Sequence, residues 1–160
     1  MLGTNGGRLK PVYFEDLVEG YVGESGEVIA DRDDMVAFAE RNDPYRIHVD
    51  EQFAATTPFG GLVASFGYTV SLYCRMIHDM ELYRAIESTM LGALEWRVTF
   101  RGPIRPGDRL HVRATLSSKR LASAGNRGVV TNRNDVLNQH DESPITIDVV
   151  WLIATRQSRS

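Results

Sequence analysis

The chain of 160 residues contains one cysteine, Cys74, which excludes an internal disulfide and a zinc site built on several thiolates. It lacks a strong excess of either charge. Eighteen Lys and Arg stand against 21 Asp and Glu, a net charge of −3, and nothing in that balance asks for nucleic acid. Long apolar runs are missing too. The longest, Leu62 to Met80, is broken by serines, glycine, threonine and Arg75, so it reads as a buried helix and not as a membrane span. The opening residues, MLGTNGGRLK, hold no apolar core of a secretory leader. They are Gly-rich and polar, and the expectation is a flexible segment over residues 1–10 followed by one globular domain over residues 11–160. A lone thiol without a leader sets the expected location in the cytoplasm. His78, His111 and His140 have no ligand partners at metal spacing, so no metal is expected.

What is present changes period along the chain. Glu24 to Ala30 reads as a first strand, and Asp31 as the N-cap of a short helix with Asp33 and Asp34 in its first turn. Met35, Phe38 and Ala39 give that helix an apolar stripe, and Asp43-Pro44 ends it. Glu51 to Ala55 reads as one more helical turn before Thr56-Thr57-Pro58-Phe59-Gly60-Gly61. The Leu62 to Met80 run then carries apolar groups on nearly every side, as the central helix of a layered domain does. Beyond it the period becomes two: Val98 and Phe100, then Leu110, Val112, Ala114 and Leu116, then Val129-Val130, then Ile145, Ile147, Val149, Trp151 and Ile153. A helical half followed by alternating strands predicts an α+β fold with an antiparallel sheet covered on one face.

Chemistry-bearing residues concentrate between Phe38 and Met80. Asp43 and His48 lie five positions apart on a segment that Pro44 forces out of the helix, which predicts that both sit on a loop. By spacing alone two readings stand for each. Asp43 caps the turn before Pro44 or acts as a base, and His48 is a satisfied buried histidine or an acid. Arg41 and Arg46 either orient Asp43 or face solvent. Cys74, Tyr68 and Ser71 read as packing residues of the helix, and Ser65 lacks the glycine context of a hydrolase nucleophile. A second feature is charge: nine Lys and Arg and one acid, Asp108, fall between Arg97 and Arg133. That run is either a solvated sheet face or a surface for phosphates.

The run FAERNDPYRIHVDEQFAATTPFGGLVAS resembles the signature of the MaoC-like dehydratases and (R)-specific enoyl-CoA hydratases. In that family an Asp-x-x-x-x-His loop precedes a segment that opens a central helix. Asp43 and His48 fall on the catalytic pair, Asp50 on the acid after it, Phe59 to Ala64 on the helix entry, and Arg105-Pro106-Gly107-Asp108 on a turn between strands. Landmarks extend over residues 13 to 140. Two positions depart: Asp43 to His48 is closer to a DPQPxH pattern than to the hydratase one, and Ser65-Phe66 stands where the family has His-Gly or Ser-Gly.

The resemblance implies a hot-dog fold, a sheet curled around the Leu62 to Met80 helix, in a homodimer or a dimer of dimers. It implies reversible addition of water to a trans-2-enoyl-CoA or related thioester, with no cofactor beyond the coenzyme A of the substrate. Asp43 would be the base, His48 the acid, and the backbone around Ser65, Phe66 and Gly67 the donor to the enolate-like oxygen. Arg97 and Arg101 would pair with coenzyme A phosphates. The rival readings are a hot-dog thioesterase, against which the helix carries no acid before Asp79, and an acyl-CoA-binding hot-dog protein without turnover.

Overall fold

The computed structural model describes residues 4–5, 8–123 and 125–159. A small antiparallel pair, β1 (Thr4–Asn5) and β2 (Arg8–Leu9), opens the chain. The flexible segment expected over residues 1–10 falls in part on residues 1–3, 6 and 7, outside the described residues. Short strands β3 (Val22–Glu24) and β4 (Val28–Ile29) follow, then helices α1 (Arg32–Asn42), α2 (Arg46–Val49), α3 (Glu51–Ala55), α4 (Phe66–His78) and α5 (Glu81–Ile86). Four long strands complete the fold: β5 (Met90–Phe100), β6 (Arg109–Leu121), β7 (Arg127–Leu137) and β8 (Ile145–Ala154). They form one antiparallel sheet in the order β3-β6-β7-β8-β5, with β4 also paired to β6. β6, β7 and β8 make a meander, and β8 returns beside β5, so residues 101–108 must cross the end of the sheet between β5 and β6.

α4 lies against the inner face of this sheet. Tyr68, Thr69, Leu72, Tyr73, Met76 and Ile77 are its buried residues, and they meet Val112, Val136, Ile147 and Val149, which alternate inward from the strands. Side chains of this size stabilise by about 1.5–3 kcal/mol each when fully buried. The α+β architecture expected from the change of period is the one observed.

The central helix is shorter than the apolar run. It begins at Phe66, not Leu62, because Ser65 caps it: the Ser65 hydroxyl accepts from Tyr68 N. Leu62 to Ala64 run extended instead, and their amides are used elsewhere, Val63 N donating to Ile47 O (3.3 Å) and Ala64 N to Ile104 O (2.9 Å). Thirteen residues give α4 a length of about 20 Å. The expected first strand, Glu24 to Ala30, is two short strands with a break between them. α1 is as read, its Asp31 side chain accepting from Asp34 N (2.9 Å), with Met35 and Ala39 buried. Phe100, on the inward period of β5, is exposed because β5 is an outer strand of the sheet.

Candidate functional site

Asp43 is the C-cap of α1. Its own N–H bonds to Ala39 O (2.8 Å), its carbonyl accepts from Tyr45 N (2.9 Å), and Pro44 stops the helix. His48 is not on a loop as expected. It sits in the one-turn helix α2, whose first carbonyls are free to take His48 N and Asp50 N. The turn brings the imidazole back toward Asp43, with His48 Nε2 3.8 Å from Asp43 Oδ2. His48 Nδ1 is 2.7 Å from Val63 O. A carbonyl can only accept, so Nδ1 carries a proton in either charge state and Nε2 is the atom left to exchange one.

The 3.8 Å gap is too long for a direct hydrogen bond and suits two groups that share a third atom. The His48 side chain is 11% exposed and that of Asp43 31%, so the pair opens to solvent on the carboxylate side.

Neighbouring polar residues have structural tasks. Asp50 caps α3, accepting from Phe53 N (2.9 Å), and pairs with Arg46 (2.8 Å); the Phe53 amide and Arg46 hold its carboxyl below the usual range. Arg46 therefore does not orient Asp43: it serves Asp50 and lies 4.0 Å above the Phe53 ring. Tyr68 is buried and its hydroxyl donates to Asp34 (3.3 Å), while burial and the Asp34 charge push its pKa up to about 12. Cys74 lines a cleft of about 430 Å³ at the other end of α4, and burial raises its thiol, which keeps it a poor nucleophile.

The helix entry adds donors beside the pair. Phe66 N and Gly67 N are the first amides of α4 and have no carbonyl four residues back inside the helix, whereas Tyr68 N is taken by Ser65 Oγ. Val63, whose carbonyl fixes His48, is three residues before Phe66. The Phe66 side chain, 55% exposed, turns toward the end of β5, where its ring meets that of Phe100 edge-on at 5.8 Å. At Gly67 a side chain would press on the Phe38 ring of α1, with 3.1 Å to the nearest atom, so this glycine lets α1 seat against the start of α4. The His48–Val63 bond and the close approach of Phe38 to Gly67 thus tie α2 and α1, which carry His48 and Asp43, to the segment that opens α4.

The two expected phosphate ligands are separated in role. Arg97 is on the outer face of β5, opposite in alternation to the core residue Val98, its side chain 71% exposed and paired with Glu95 (3.2 Å). Arg101 lies at the sheet end nearer the helix entry and donates to Thr146 Oγ1. One participant had no signal in the sequence, the Val63 carbonyl, which is backbone; Arg105 was marked only as part of a turn between strands, and its guanidinium donates to Phe59 O (2.6 Å).

A helix laid against the inner face of an antiparallel sheet is the architecture of a hot-dog protein. The chain belongs to the family of the MaoC-like domain, whose model matches residues 10–138. It is similar to a 3-hydroxybutyryl-CoA dehydratase of Methylorubrum extorquens, 35% identical over 115 residues that make up 68% of this chain and 66% of that protein. It is also similar to 3-hydroxyacyl-thioester dehydratase Z of Mycobacterium tuberculosis, 32% identical over 106 residues, 66% of this chain and 68% of that one. The matches therefore span about two thirds of these curated relatives. Among solved structures, a MaoC-like dehydratase from Rhodospirillum rubrum superposes with a TM-score of 0.83 at 28% identity, over 91% of this chain and 98% of that chain.

Proposed function

We propose that this protein is a hydro-lyase that interconverts a 3-hydroxyacyl thioester and a trans-2-enoyl thioester, using Asp43 and His48. The observation that carries the reading is the pairing of Nε2 and Oδ2 across 3.8 Å, with Nδ1 already committed to Val63 O. The names of the dehydratase relatives support the reaction class.

In the hydration direction a water held between the two groups gives one proton to Asp43 as its oxygen bonds carbon 3 of the enoyl group. Imidazolium His48 delivers the Nε2 proton to carbon 2, and the negative charge that develops on the thioester oxygen meets the amides of Phe66 and Gly67. One proton enters the pair and one leaves, so passage of a proton from Asp43 to His48 restores the starting state. Phe66 in place of glycine keeps this backbone donor, since its ring is directed to Phe100.

The same reading includes a homodimer. β5 is an eleven-residue edge strand that presents Leu91, Leu94, Trp96 and Phe100 to solvent, and a long apolar edge of this kind invites a further strand. A second copy fits because an antiparallel strand pairs with itself across a two-fold axis. Light scattering at micromolar concentration checks this, a dimer mass being expected and a monomer mass contradicting it.

The reaction is tested by incubating purified protein with a panel of 2-enoyl, 3-hydroxyacyl and saturated acyl thioesters of coenzyme A. Hydration and dehydration without hydrolysis are expected. Release of free thiol from the saturated thioesters as the main activity would overturn the reading in favour of a thioesterase.

A further inference from the structure

The crossing segment 101–108 and the β7–β8 turn enclose a polar cleft of about 630 Å³, lined by Arg101, Arg105, Asn138, Gln139 and His140 together with Asp108 and Glu142. Its place follows from the topology. The crossing passes the helix entry, where Ile104 O accepts from Ala64 N and Arg105 holds Phe59 O, one residue and four residues from Val63. Since Val63 O holds His48, a single stretch of chain, residues 59–64, separates the cleft from the Asp43–His48 pair.

Charge within the cleft is unevenly spent. Asp108 accepts with both oxygens, from Arg105 N (2.7 Å) and Gln139 Nε2 (3.0 Å), and Glu142 accepts from Asn138 Nδ2 (3.0 Å). The two guanidinium groups have no carboxylate partner among the described residues. Each is aimed by a neutral oxygen, Arg101 by Thr146 Oγ1 and Arg105 by Phe59 O, which leaves further N–H groups on both. Four other arginines of the basic run are already paired, Arg97 with Glu95, Arg109 with Glu27, Arg113 with Glu24 and Arg133 with Asp135, and Arg120 and Arg127 are not among the residues that line the cleft.

We infer that Arg101 and Arg105 form the site for a phosphate at the far end of the substrate's pantetheine arm, and that Arg97 has no part in it. The inference rests on the thioester reading above and deepens it. Two oriented, unpaired guanidinium groups next to a thioester site fit an organic phosphate, which takes paired N–H donors from each. That phosphate can belong to coenzyme A or to a phosphopantetheine group.

The test compares wild type, R101Q, R105Q, the double variant and R97Q on one 2-enoyl group carried by coenzyme A, by 4′-phosphopantetheine and by N-acetylcysteamine, which has no phosphate. In the double variant KM for the coenzyme A thioester is expected to rise about 10- to 100-fold, as loss of hydrogen bonds between charged groups implies, with the N-acetylcysteamine thioester and R97Q unchanged. An equal rise for phosphopantetheine assigns the cleft to the phosphate nearest the arm, and a rise for coenzyme A alone assigns it to the nucleotide phosphates. A similar rise for all three carriers overturns the inference. Because Arg105 also braces the helix entry, R105K separates charge from bracing: retention of coenzyme A affinity in R105K with loss in R105Q is expected. Titration calorimetry with free coenzyme A decides the cleft even if no thioester is turned over, since unchanged affinity in the double variant overturns the site independently of the reaction.

Discussion

Two regions packed around the same helices hold their polar groups in opposite states. In the core between α5 and the sheet, Tyr83, Asn132 and Asn134 are at most 5% exposed and bonded to one another: Tyr83 OH donates to Asn134 (2.8 Å) and accepts from Asn132 (3.1 Å), and Asn134 also donates to Ile147 O, which leaves Asn132 Oδ1 as the one side-chain oxygen of the three without a partner. At the entry of α4, Asp43 and His48 face each other and stop short of a bond, while the two helix amides beside them have no partner within α4. Buried polar groups must be bonded or the fold loses stability. Groups that keep a donor or acceptor unspent, as His48 Nε2 and the Asp43 carboxylate do, are free to act on a ligand. The difference matches the reading proposed above, in which the core network serves stability and the entry serves turnover.

The largest effect expected from this contrast is on rate. Asp43→Asn and His48→Gln should each lower kcat by about 10²–10⁴ while stability to urea stays within about 1 kcal/mol of wild type. Steady-state rates and denaturant curves on the same preparations check both halves. The core network should show the reverse. Asn134→Ala leaves Tyr83 without its acceptor and opens a void, at a cost of roughly 2–4 kcal/mol, with kcat per folded molecule unchanged.

How far the sequence foretells the two regions depends on what each leaves in the pattern of residue types. Asp31 before a stripe at Met35 and Ala39 announces α1, and the alternation in β6 and β8 announces the sheet. The core network was hidden because Asn132 and Asn134 occupy inward positions of β7 with polar side chains, so the apolar alternation breaks off after Val129-Val130 and resumes only at Val136. The start of α4 was hidden for the opposite reason: Leu62 to Ala64 are apolar, and an extended buried segment looks like a helix turn until its amide partners, Ile47 and Ile104, are known. The family resemblance singled out Asp43 and His48, which the fold does bring within 3.8 Å, but could not tell that His48 lies on a helix turn. Charge counting placed Arg97 and Arg101 together; that Arg97 lies beside Glu95 while Arg101 donates to Thr146 is something no count of charges reports.

Ser65 sharpens the comparison, since it lies at the entry of α4 but is 1% exposed and capped onto Tyr68. Ser65→Ala should cost about 0.5–2 kcal/mol of stability, read as a shift of the denaturation midpoint, and should lower kcat far less than a change at Asp43. The smallest effect concerns alkaline pH. Tyr68 stays neutral in the fold up to about pH 12 but ionises near 10 once unfolded, so unfolding releases a proton between those values. Stability should therefore be full below about pH 10 and fall as pH rises toward 12. Tyr68→Phe should make that fall shallower, though not flat, because burial raises Tyr73 and Tyr83 as well. Unfolding curves at a series of alkaline pH values read the slope.

The most direct test is a double-mutant cycle on the entry pair, comparing kcat/KM for Asp43→Asn, His48→Gln and both together in hydration of a 2-enoyl thioester. If the two side chains act on one water, the double variant should be little slower than either single one, because each loss already disables the shared step. Independent, multiplying losses, or a folded Asp43→Asn protein that keeps most of its activity, would contradict a joint role for Asp43 and His48.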